Sequence, residues 1–208
     1  MKSDEIWKNI HAERIQMAQT WAGLTPEQWA STSWCEGWTV QVVAGHVLAA
    51  AEQTPANFFK EMIQAGFKFN VFAERAAKKL ATIGPSELVR RLVLRTTTTN
   101  HPPAPVMAML GEIIVHGEDI RRPLGLTHET PASALIAVAN SWKNSNILIG
   151  GKRRIAGLRL KATDTNWTNG DGPEVTGPMI SLVVAMTGRK GALADLSGEG
   201  LAILAQRP

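Results

Sequence analysis

Glu112 and His116 are the only polar side chains in the run Val106-Met107-Ala108-Met109-Leu110-Gly111-Glu112-Ile113-Ile114-Val115-His116-Gly117. At 3.6 residues per turn, a spacing of four stacks them on one helical face. Burying a lone carboxylate or imidazole costs several kcal/mol, so the pair must have something to bind. On their own the two fit an ion pair that braces the helix. A third residue shifts the balance. Val42-Val43-Ala44-Gly45-His46-Val47-Leu48-Ala49-Ala50-Ala51 is a second apolar run whose single polar side chain is His46. Two histidines and one glutamate, each alone in an apolar helix, make a His2Glu donor set. Such a set holds a divalent cation and leaves a coordination position open, so a metal site is the preferred reading.

Helices must carry these side chains, and the chain reads as mainly helical up to about residue 150. Ser3-Asp4-Glu5 caps a first helix to about Ala22, with Ile6, Ile10, Met17 and Trp21 near one face and His11 toward solvent. Thr25-Pro26 opens a short helical turn. Thr39 caps the helix of His46, which stops or kinks at Thr54-Pro55 before a further helical stretch through Phe58 and Ile63. Further helices are expected over roughly 71–80 and 88–94. The run Thr96 to Pro103 forms the loop before the Glu112 helix, with His101 the spare histidine best placed to border a site. Helices joined by short or moderate loops make an antiparallel bundle, where metal sites are built from side chains on facing helices. Asp119, one turn past His116, is placed to accept from a ligating imidazole and fix its tautomer.

Thr130-Pro131 starts a helix to about Asn144, and from Gly150-Gly151 the texture changes. Leu158, Leu160 and Ala162 alternate with polar residues, as in a half-buried strand. Asn169-Gly170-Asp171-Gly172 signals a turn, after which Glu174-Val175-Thr176 is expected to return antiparallel. A helix over 179–187 and a last strand over 201–205 complete a small α/β unit. The expected division is therefore a helical bundle over 1–150 and a small α/β domain over 151–208.

Here the sequence resembles a known family. Trp34-Cys35-Glu36-Gly37-Trp38-Thr39-Val40, leading to His46, and Glu112-Ile113-Ile114-Val115-His116-Gly117-Glu118-Asp119-Ile120-Arg121 look like the mycothiol-dependent maleylpyruvate isomerase family of the DinB-like metalloprotein superfamily. The resemblance implies a DinB-like four-helix bundle followed by a sterol-carrier-protein-like α/β module. It implies zinc on His46, Glu112 and His116, with mycothiol as thiol cosubstrate at the open position. Thr187-Gly188-Arg189 matches the family's Gly-Arg after the helix, which makes Arg189 the candidate for gripping an acidic substrate or a polar part of the thiol. Trp34, Trp38 and Trp167 are candidates to line a pocket for the thiol's sugar. Core packing is the preferred role for Trp38.

Composition narrows the function classes. The 208 residues, 44% hydrophobic and 19% charged, suit a globular protein. No apolar run approaches the roughly 20 residues of a membrane span, and no signal peptide is evident, so a cytoplasmic protein is expected. The single cysteine, Cys35, excludes an internal disulfide and reads as a small packed group rather than a ligand or nucleophile. The net charge of +4 does not make a nucleic-acid site, because only Lys152-Arg153-Arg154 clusters and no basic run interleaves with aromatics. An anionic small molecule answers that charge equally well. The leading expectation is a metal-dependent, mycothiol-using isomerase or S-transferase acting on a small electrophile. A carrier with a structural metal, or a thiol-independent metal hydrolase, are the alternatives.

Overall fold

A computed structural model of the chain describes residues 1–147 and 149–208. Two compact units emerge, Met1–His128 and Glu129–Pro208. The break falls before the boundary expected after residue 150. Its cause is the helix over Ala132–Trp142, which packs on the helix over Met179–Ala185 and so belongs with the second unit.

The first unit is helical, with α1 Ser3–Ala22, α2 Pro26–Ala30, α3 Val40–Glu52, α4 Pro55–Gln64, α5 Phe69–Ala81, α6 Pro85–Val93 and α7 Val106–Arg121. Side-chain caps set several starts. Thr25 forms a capping box with Gln28, Thr39 accepts from the amide of Val42, and Thr54 accepts from that of Asn57. Helix α1 packs along α6 and α7, while α3 packs on α5, α6 and α7. The α3–α5 crossing is close because Gly45 has no side chain: a Cβ there would stand 2.3 Å from the carbonyl oxygen of Ala77. The core between the helices includes Ile10, Met17, Trp21, Val43, Leu48, Leu92, Leu110 and Ile114.

The buried stripe of α1 is not purely apolar. Glu13 and Arg14 lie on it at 3% and 2% exposure, continuing the spacing of Ile6, Ile10, Met17 and Trp21. Arg14 donates through Nη1 to the carbonyls of Arg95 (2.9 Å) and Thr98 (2.8 Å), tying α1 to the chain that leads into α7. His11, expected in solvent, is half-buried and its Nε2 meets the Thr98 carbonyl at 3.1 Å. Its neighbour on the other side is the Trp7 ring, which also packs against His101.

The second unit holds α8 Ala132–Trp142, α9 Gly151–Ile155, β1 Arg159–Ala162, β2 Thr168–Asn169, β3 Glu174–Gly177, α10 Met179–Ala185, a 3-10 stretch Lys190–Asp195 and α11 Leu201–Ala205. The sheet order is β2-β1-β3. The antiparallel partner of β1 is β2, whereas β3 runs parallel to it with Leu160 opposite Val175. The expected antiparallel return of 174–176 is therefore corrected. The Asn169-Gly170-Asp171-Gly172 run is a crossing from one edge of β1 to the other and not a hairpin turn. A Cβ on Gly170 would lie 2.2 Å from the Leu158 carbonyl oxygen, so the chain crosses close against the start of β1 where only glycine fits. The strand expected at 201–205 is the helix α11, whose Leu-Ala-Ile-Leu-Ala run buries only Leu204 and has no two-residue alternation. Among the described residues no helix is long and apolar enough to cross a membrane.

Candidate metal centre

Helices α3 and α7 bring the three expected donors together. One ligand atom each from His46, Glu112 and His116 lies within 4.8 Å of the others. His46 Nε2 is 3.7 Å from Glu112 Oε1, and the two imidazoles meet edge to face with centroids 4.7 Å apart. The local sequence explains the convergence. Val43, Ala44, Val47 and Leu48 bury one side of α3, and Ile113, Ile114 and Val115 are buried on α7, so the remaining polar positions face one another across the helix pair. The Trp38 ring packs edge-on against His46 at 5.4 Å, which places Trp38 beside the candidate centre and not only in packing.

The protein does not satisfy this group by itself. Glu112 Oε1 is buried without a hydrogen-bond partner among the described residues. A buried carboxylate oxygen left so is costly, and a cation between it and the two imidazoles removes the penalty. Burial pushes the Glu112 carboxyl up to about 7, against the pull of the His116 and Arg14 charges. For His116, burial alone would lower the pKa, but the hydrogen bond it donates to Asp119, its contact with Cys35 and the Asp119 charge outweigh it and raise it to about 10. The donor chemistry and the orphaned oxygen fit a divalent cation.

Asp119 stands where expected. Its carboxylate is fully buried, and Oδ2 accepts from His116 Nδ1 at 2.9 Å. That bond occupies Nδ1 and leaves Nε2 as the ring's other nitrogen. Cys35, read from sequence as a packed apolar group, instead donates through Sγ to the same Oδ2 at 3.0 Å and lies 3.7 Å from His116 Nδ1. Cys35, His116 and Asp119 thus also place donor atoms within 4.8 Å of one another. Their hydrogen bonds account for that closeness.

Among the described residues, the other expected site residues are not part of these donor groups. The half-buried Trp34 faces the Arg122 guanidinium across 5.6 Å, and its amide donates to the Asp119 carbonyl at 3.0 Å. His101 packs on Trp7 and is not among the metal-sized group of donors. Arg189 lies in the second unit at the start of the 3-10 stretch, half-buried, with its charge felt by Arg154. Trp167 is buried in that unit and donates through Nε1 to Asn140 Oδ1 at 3.2 Å.

Comparison with known proteins follows the same geometry. Residues 10–100 match the family model described as the mycothiol maleylpyruvate isomerase N-terminal domain. The mycothiol maleylpyruvate isomerase match runs from α1 through α6 and carries Cys35 and His46, but ends before Glu112 and His116. Two solved structures have the same fold over 96% of this chain and 93% of theirs, each at 15% identity. They are the crystal structure of the mycothiol-dependent maleylpyruvate isomerase, with a TM-score of 0.65, and that of its histidine-to-alanine mutant, with a TM-score of 0.64. No curated protein matches the chain in sequence.

Proposed function

We propose that this chain is a metal-dependent isomerase or S-transferase that uses mycothiol as its thiol cosubstrate and acts on a small anionic electrophile. The observation that carries the reading is the meeting of His46, Glu112 and His116 around a carboxylate oxygen that has no hydrogen-bond partner among the described residues. In this reading the helical unit is a DinB-like four-helix bundle and the second unit a sterol-carrier-protein-like module. A divalent cation held by the three residues, zinc in this proposal, supplies charge that keeps a thiol of pKa about 8.5 as its reactive thiolate at neutral pH.

The chain's own groups do the rest. Asp119 fixes the His116 ring, and Trp38 shields His46. Arg189 grips the substrate carboxylate through two parallel hydrogen bonds, and Trp34 borders the thiol. The thiolate's electron pair forms a C–S bond, and the pair of the attacked C=C bond moves onto the conjugated carbonyl. The carbon–carbon bond is then single and rotates. Re-forming the double bond breaks the C–S bond and returns the thiolate, which is isomerisation; protonation of the enolate carbon by water, balancing the proton the thiol gave up, followed by release of the conjugate is transfer. The reaction needs a reduced thiol, which agrees with a cytoplasmic setting.

Mycothiol titrated into the cobalt-substituted protein should produce a sulfur-to-cobalt charge-transfer band. Maleylpyruvate, the substrate in the structural relative's name, should turn over only with mycothiol present, and Arg189→Gln should raise its KM at least tenfold. An unchanged cobalt spectrum, or turnover without thiol, defeats the proposal.

A further inference from the structure

The nine residues before α3 form a loop built around one sulfur. Ser33 donates its amide to the Trp38 carbonyl at 3.0 Å, and its hydroxyl donates to the same carbonyl at 2.9 Å. The Ser33 hydroxyl oxygen also accepts from the Cys35 amide at 3.1 Å. Trp38 N–H returns to the Cys35 carbonyl at 3.0 Å, closing a turn whose Gly37 sits at φ +74°. The Trp34 amide pins this loop to the Asp119 carbonyl on α7. The backbone on both sides of Cys35 is therefore held by hydrogen bonds.

That thiol points at Asp119. Oδ2 of Asp119 accepts from Cys35 Sγ at 3.0 Å and from His116 Nδ1 at 2.9 Å. With two donors on one oxygen, rotation of the carboxylate about its Cβ–Cγ bond breaks both contacts together. A carboxylate held this way keeps the proton on Nδ1 and presents Nε2 of His116 as an electron-pair donor.

We infer that Cys35 is a positioning residue for the candidate metal centre, acting through Asp119 to hold His116 in its Nδ1–H tautomer and in the orientation that binds a cation. The inference rests on the reading of His46, Glu112 and His116 as metal ligands. It assigns the only cysteine of the chain a role in which the sulfur neither binds the metal nor attacks substrate.

The test compares Cys35→Ala, Cys35→Ser, Asp119→Asn and the Cys35→Ala/Asp119→Asn double variant in full-length protein. Zinc affinity is measured by chelator competition, the cobalt ligand-field spectrum is recorded, and the His116 Nδ1–H is followed in long-range 15N–1H spectra of the zinc-loaded protein. Cys35→Ala should weaken zinc binding about tenfold, shift the cobalt spectrum and shift or broaden the His116 Nδ1–H resonance. Cys35→Ser, which keeps a donor, should stay within about threefold of the parent and serves if the alanine variant folds poorly. The double variant should be no weaker than Asp119→Asn alone, since both act through one carboxylate. Wild-type affinity and spectrum in Cys35→Ala, or additive losses in the double variant, overturn the inference. A parent protein that binds no zinc defeats the metal reading itself, a separate outcome visible before any variant is made.

Discussion

His46 Nε2 and Glu112 Oε1 face each other at 3.7 Å, beyond a good hydrogen bond. Two ligand atoms each about 2.0–2.2 Å from a zinc ion stand about 3.4 Å apart at the tetrahedral angle. The separation is close to that of two ligands of one cation, and it also lies within ion-pair range. Purified without chelator, the protein should carry about one divalent ion per chain by elemental analysis. His46→Ala and His116→Ala should each lose most of it while remaining helical by circular dichroism. Full metal content in either variant contradicts the site.

Proton release should accompany metal uptake. In the metal-free protein Glu112 titrates at about 7 and His116 at about 10. Both must shed a proton to act as ligands. Uptake between pH about 7 and about 10 should displace about one proton, from His116, and below about 7 a second, from Glu112. Apparent affinity should therefore rise about tenfold per pH unit above pH 7 and more steeply below it. Calorimetry in buffers of different ionisation enthalpy counts these protons; a flat affinity between pH about 7 and 9 contradicts the assignment.

The same shift at Glu112 has a consequence for stability. Its pKa in the fold lies above the ordinary value of 4.5, so folding favours the protonated form. The contribution is full below pH 4.5 and lost as pH rises through about 7. Metal-free Glu112→Gln should accordingly be more stable than the parent by about 1–3 kcal/mol at pH about 8, with little difference at pH about 5. With metal bound the order should reverse. Urea denaturation at the two pH values, with and without chelator, distinguishes the cases.

Gly45 is the contact that lets α3 approach α5. A Cβ there meets the Ala77 carbonyl oxygen at 2.3 Å and the Ala81 nitrogen at 2.9 Å, both backbone atoms that cannot step aside. Gly45→Ala should destabilise by about 2–4 kcal/mol despite the better helix propensity of alanine. Because His46 is the next residue, metal affinity should fall as well. A gain in melting temperature would show that the helices can separate freely.

Glu13 and Arg121 provide a test away from the metal. The Glu13 carboxylate accepts from His128 Nε2 at 3.0 and 3.1 Å, and Arg121 is 1% exposed, with Nη1 and Nη2 lacking hydrogen-bond partners among the described residues, Nε donating to Thr20 Oγ1 at 3.5 Å, and the charges of Glu13 and Glu118 offsetting burial. Removing Glu13 deprives Arg121 of the larger of its two compensating charge interactions. Glu13→Ala should cost about 3 kcal/mol, whereas Arg121→Met, which removes the buried cation itself, should cost less or be neutral. Metal content should be unchanged in both. The reverse order of stabilities would refute this account of the network.

The sequence by itself determined most of the helices of the first unit and marked out the three candidate donors. Thr25, Thr39 and Thr54 mark helix starts that the structure has, because a cap is a local interaction within three residues. His46, Glu112 and His116 were visible as single polar residues in apolar runs, since a lone ligand in a buried helix leaves that pattern. Glu13 and Arg14 were legible too, on the stripe of Ile6, Ile10 and Met17, had the charged positions been counted with the apolar ones.

Only the tertiary structure decided the rest. That α3 meets α7 with the donors inward depends on which faces pack, and spacing along one helix says nothing of its neighbour. Cys35 and Asp119 are 84 residues apart, so no local rule links the thiol to the carboxylate that orients His116. The parallel course of β3 was hidden for the same reason: an Asn-Gly-Asp-Gly run permits a hairpin or a crossing, and the choice lies in how closely Gly170 must pass the backbone of Leu158.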